Sequence, residues 1–106
     1  MGSLISLARV VELRNELAQI DRIATMVIKM TFSKDAVIKE SGARQSLIVQ
    51  DQLLRTAKKL RELNMSAYLA QKSSIEQTLK KLKGCASKRI DLVKDYENNY
   101  DSTKSA

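Results

Sequence analysis

Val10-Val11-Glu12-Leu13-Arg14-Asn15-Glu16-Leu17-Ala18-Gln19-Ile20-Asp21-Arg22-Ile23-Ala24-Thr25-Met26-Val27 is the stretch that decides the fold. Val10, Leu13, Leu17, Ile20, Ala24 and Val27 recur in alternating steps of three and four. Residues so spaced share one face of an α-helix, whereas a half-buried strand needs strict alternation. Kept up from Val10 to Val27, the spacing is a heptad seam of the coiled-coil kind. Leu7, Val11, Ile23, Met26 and Met30 widen the stripe on either side. The spacing predicts a helix from Ser3 to Thr31, roughly 44 Å long. A compact globule of this chain length would be only roughly 26 Å across. An elongated all-α arrangement is expected, either an antiparallel hairpin or a three-helix bundle with coiled-coil-like packing.

Composition points the same way. The 106 residues include no Pro, His or Trp, 3 Gly, 1 Cys and 4 % aromatics. Sheet proteins draw on Gly and Pro for their turns, so an all-β reading fails. Without His the chain lacks the usual acid–base group of neutral pH and the commonest metal ligand. One Cys makes neither an internal disulfide nor a zinc cluster. With 43 % hydrophobic residues, the chain carries enough apolar matter for a core. A single helical domain over residues 1–100 is expected, with a disordered polar tail at 101–106.

Further along, Phe32-Ser33-Lys34-Asp35 reads as a stop and restart, with Ser33 as cap and Asp35 in the following first turn. Residues 39–46 are poor in large apolar side chains and hold Gly42, which predicts the main loop at 41–46, preceded by a short helix from Lys34 to Glu40. A second long helix is expected from near Ala43, with Val49, Leu53, Leu60 and Leu63 on its seam and Leu54 and Ala57 alongside. Asn64-Met65-Ser66 predicts the next break, Asn64 left-handed and Ser66 capping; Ser73-Ser74 is the rival position. Ile75, Leu79, Leu82, Ala86, Ile90 and Val93 run through Gly84 without interruption and predict one last helix, fraying from Glu97.

The net charge of +7 is unevenly spread. Residues 55–89 carry +8, which leaves −1 for the rest. Arg55, Lys58, Lys59, Arg61, Lys80, Lys81, Lys83, Lys88 and Arg89 form the candidate anion-binding set, and contacts to nucleic-acid phosphates through 55–89 are the second functional reading. Against base stacking, none of Tyr68, Tyr96 and Tyr100 lies within a basic cluster. Cys85 has cations at Lys83 and Lys88 but no basic partner to activate it, so it reads as a small core residue. Glu12 with Glu16 and Asp91 with Asp95 read as surface carboxylates beside cations. Neither pair has the setting of a catalytic dyad or a metal site.

No catalytic residue, cofactor or metal is expected. The primary reading is a non-catalytic protein-interaction module, an adaptor, chaperone or assembly subunit that works by helix packing. Its expected interface is Leu13, Leu17, Ile20, Ile23, Met26, Val27 and Met30. The expected partner is a second copy, giving a homodimer, or another helical protein. Met1-Gly2-Ser3-Leu4-Ile5-Ser6 fits the loose myristoylation pattern, but no polybasic run follows to supply a second anchor. No apolar stretch reaches the length of a membrane span, and a cytoplasmic chain is expected. In size, helicity and basic charge the chain resembles small coiled-coil adaptors such as the secretion chaperones and export-stalk proteins of bacterial type III systems. No motif carries that likeness, and no residue role follows from it.

Overall fold

A computed structural model describes the backbone of residues 2–105 and the side chains of residues 6–85. It contains three helices: α1 (Gly2–Met30), α2 (Ala36–Leu63) and α3 (Met65–Ser105). Consecutive helices are antiparallel, because the turns between them are too short for any other return. α1 and α3 both lie along α2 and meet each other at only a few points. The particle is elongated, 73 × 20 × 18 Å.

The core is the meeting of three stripes. Val10, Leu13, Leu17, Ile20, Ala24 and Val27 of α1 are all buried. They pack with Val49, Leu53, Ala57 and Leu60 of α2 and with Ile75 and Leu82 of α3. The seam read from the first stretch is therefore internal to the chain. On α2 the seam differs from expectation at two places: Leu54 and Leu63 are exposed, and Thr56 is buried instead. A helix clasped between two neighbours turns its central arc inward, and Leu54 and Leu63 fall on the opposite edges of that arc.

The expected loop at 41–46 does not exist, nor does a separate helix from Lys34 to Glu40. α2 is continuous from Ala36. Gly42, Ala43 and Ser46 are all buried, and a Cβ on Gly42 would stand 2.7 Å from the Cβ of Met30 and 3.0 Å from the Val27 carbonyl oxygen of α1. Small residues here let two helices approach closely; they do not mark a bend. The Ser46 hydroxyl is satisfied locally, donating to the Ala43 carbonyl at 2.6 Å.

Both real turns are built on side-chain caps. Asp35 is the N-cap of α2, its carboxylate accepting from the backbone N–H of Val37 at 2.8 Å and of Ile38 at 3.2 Å. Ser33, expected as the cap, instead accepts from the Asp35 N–H. At the second turn Asn64 is extended (φ −156°, ψ 102°), not left-handed. Its N–H donates to the Leu60 carbonyl, and its side-chain oxygen accepts from the Ala67 N–H at 3.0 Å. One residue thus closes α2 and opens α3, and Ser66 lies within the first turn of α3. Ser73 and Ser74 lie inside α3, and the helix passes Gly84 unbroken. The fraying expected from Glu97 and the tail at 101–106 lie outside the residues whose side chains are described.

Candidate interaction surface

A three-helix bundle has three outer faces, and residues about 100° apart along each helix can be assigned to them. The face between α1 and α2 carries Ile23, Met26 and Met30 from α1, with Val37 and Ile48 from α2. Met26 is 66 % exposed and Ile48 58 %, while Met30 is half-buried where it meets Gly42. Phe32 stands in the adjoining turn with much of its ring exposed. Together these side chains expose on the order of 500 Å² of apolar surface, at the upper end for a patch on a soluble monomer.

The structure divides the expected interface residues. Leu13, Leu17, Ile20 and Val27 are inside the chain's own core, with Val27 only 2 % exposed. α2 and α3 cover them between them, so they lie inside the bundle and not on its surface. Ile23, Met26 and Met30 remain on the outer face. Sequence reasoning missed Ile48, Val37 and Phe32, which the α1–α2 turn brings to the same side. Helical spacing alone sees one helix at a time, so only the antiparallel return of α2 could have revealed them.

Toward the other end the same face becomes polar. Arg9 pairs with Glu12 at 2.9 Å and lies 3.9 Å from Glu16, as expected of ordinary surface carboxylates. A shallow groove there is lined by Arg9, Leu13, Lys59, Glu62 and Leu63.

The face between α1 and α3 is a groove of about 230 Å³ with Leu53 of α2 as its floor. Thr78, largely buried, donates its hydroxyl to the Asp21 carboxylate at 2.9 Å across it, which pins α1 to α3. Deeper toward the first turn, Thr31 and Cys85 lie 3.6 Å apart, oxygen to sulfur, and both are buried. Cys85 is a core residue. Among the described residues no three His, Cys, Asp or Glu side chains gather closely enough to hold a metal.

The candidate anion-binding residues do not converge. Lys59 lines the groove beside α1, and Arg55 next to it pairs with Asp51 at 2.9 Å. Lys81 lies on the side of α3 that carries Ser74 and Thr78, toward α1. Lys58, Arg61, Lys80 and Lys83 occupy the opposite flank, between α2 and α3, and all are exposed. Lys88 and Arg89 lie outside the residues whose side chains are described. Among the described residues no helix is long and apolar enough to cross a membrane. No protein family, curated protein or solved structure matches this chain.

Proposed function

We propose that the chain is a non-catalytic interaction module that assembles through the α1–α2 face, in the first instance with a second copy of itself. The observation that carries this reading is the cluster of Ile23, Met26, Met30 and Ile48 on one outer face, left open after three helices have closed their own core. A two-fold axis through the patch would set it against itself, as in most homodimers. The two patches together supply roughly 1,000 Å² of buried area, the threshold for a specific interface. Met26 and Met30, unbranched and polarizable, suit a surface that adapts to its partner, including another helical protein. A cytoplasmic adaptor, chaperone or assembly subunit fits this picture. The division of the basic residues over two flanks favours phosphate-backbone binding less.

Sedimentation of the unmodified chain across micromolar concentrations tests the proposal. A reversible monomer–dimer equilibrium that Ile48→Asp abolishes without loss of helicity supports it. A fully folded monomer at high micromolar concentration refutes self-association.

A further inference from the structure

The flank formed by α2 and α3 differs in kind from the other two faces. Leu47 and Leu54 stand on α2, seven residues apart, and Met65 and Leu69 stand on α3, four apart. All four are about half exposed, from 46 % for Leu47 to 56 % for Leu69. Among them rise Lys58 and Arg61 from α2 and Lys80 and Lys83 from α3. No carboxylate pairs with any of these four cations among the described residues. Of the acidic groups near them, Asp51 pairs with Arg55 at 2.9 Å and Glu76 with Lys72 at 4.0 Å, while Glu62, four residues from Lys58, lines the groove beside α1. From Met65 to Lys83 the flank runs for roughly 27 Å.

The composition of the flank narrows its partner. Between α2 and α3 the seam is closed from within by Leu53, Ala57, Leu60, Ile75 and Leu82. An apolar partner helix would cover the exposed leucines yet leave the four cations without counter-charges. Nucleic-acid phosphates would satisfy the cations yet leave four large apolar side chains facing water. A planar anionic surface with an apolar layer just beneath it answers both features, because lysines reach the phosphates while leucines enter the headgroup boundary.

We infer that the α2–α3 flank, through Leu47, Leu54, Met65 and Leu69 set among Lys58, Arg61, Lys80 and Lys83, is a docking surface for an anionic lipid bilayer. It is separate from the α1–α2 face, so a dimer formed there leaves the flank open and either property can fail alone.

Co-sedimentation of the full chain with phosphatidylserine–phosphatidylcholine vesicles, and with phosphatidylcholine vesicles alone, is the test. The chain is expected to pellet with the anionic vesicles and to stay in solution with the neutral ones. Lys58→Ser with Lys80→Ser lowers the partition coefficient about tenfold or more, and Leu54→Ser with Leu69→Ser lowers it comparably. Lys59→Ser with Lys81→Ser removes equal charge from the sides of α2 and α3 turned toward α1. Those sides are separated from the bilayer by about a helix diameter, more than the screening length of about 8 Å, so the loss is about twofold or less. Circular dichroism verifies that each pair keeps its helicity, which exposed positions should allow. Absence of binding to anionic vesicles overturns the proposal. So does equal binding to neutral ones, or equal losses from the two charge pairs. Leucine substitutions without effect, together with displacement by duplex DNA, reassign the flank to phosphate binding and overturn it as well.

Discussion

Gly42 of α2 faces Met30 of α1 so closely that a Cβ on the glycine would lie 2.7 Å from the methionine Cβ and 3.1 Å from the Thr31 backbone nitrogen. The obstacles are backbone and the root of a side chain, which cannot swing aside. Gly42→Ala therefore forces the two helices apart. Overpacking costs about 1–3 kcal/mol, against about 1 kcal/mol gained from alanine's helix propensity. A net destabilisation of about 1 kcal/mol is expected, a drop of roughly 4–8 °C in a thermal melt. Gly84 is the internal control: beyond its own stretch of helix nothing lies within 4 Å of where its Cβ would be, and it is exposed in mid-helix. Gly84→Ala should stabilise by about 0.5–1 kcal/mol. A Gly42→Ala melt at or above the parent's would contradict the close crossing.

That crossing also explains what the amino-acid sequence revealed and what it hid. The α1 seam was legible because large side chains at three-and-four spacing announce a buried stripe. Gly42, Ala43 and Ser46 were not, because closeness between helices is achieved by leaving side chains out, and the same composition marks a loop. Asn64 was legible as a break; its extended backbone and double duty became visible only with both helices in place. Leu13, Leu17, Ile20 and Val27 are buried because α2 and α3 both supply apolar stripes to the same core. Ile23 and Met26 stay on the surface among the described residues, and their part in an interface is a proposal.

Asn64→Ala removes the side-chain acceptor of the Ala67 N–H at the start of α3. Loss of such a cap costs about 1 kcal/mol. Asp35→Ala, which strips the acceptor from two N–H groups, should cost as much or slightly more. Ser66→Ala should be nearly neutral, since Asn64 and not Ser66 holds the cap. Urea denaturation with unchanged slope and shifted midpoints would report these differences. A loss at Ser66 equal to that at Asn64 would overturn the assignment of the cap.

Leu82 and Leu54 separate core from surface on adjacent helices. Leu82 is fully buried, at 0 % exposure. Leu82→Ala should cost about 2–5 kcal/mol, through lost burial and the cavity left behind. Leu54 stands on the exposed flank. Leu54→Ala should change stability by about 0.5 kcal/mol or less, the usual range for surface positions. Denaturant midpoints of the two variants measured side by side decide the matter, and similar losses at both would refute the α2 register.

Met26 and Val27 are chain neighbours with opposite surroundings, one largely exposed on the α1–α2 face, the other buried in the core. Aspartate at either position removes an apolar side chain and adds a charge, so the pair distinguishes assembly from folding. In Val27→Asp the carboxylate would be desolvated in the core near the Gly42 crossing, without a partner. An unpaired buried charge costs several kcal/mol, comparable to the whole stability of a small domain. Loss of helicity or a collapsed melting transition is expected. Met26→Asp leaves the core intact and its charge in water within the monomer, so the helical spectrum and the monomer's melt should be nearly unchanged. In the proposed dimer the same charge meets the partner's apolar patch, and association should weaken about a hundredfold, the equivalent of about 3 kcal/mol. Circular dichroism and sedimentation run on the same samples give the answer. Folded, monomeric Met26→Asp beside unfolded Val27→Asp is the expected outcome; folded Met26→Asp that still dimerises with parental affinity would place the contact on another face.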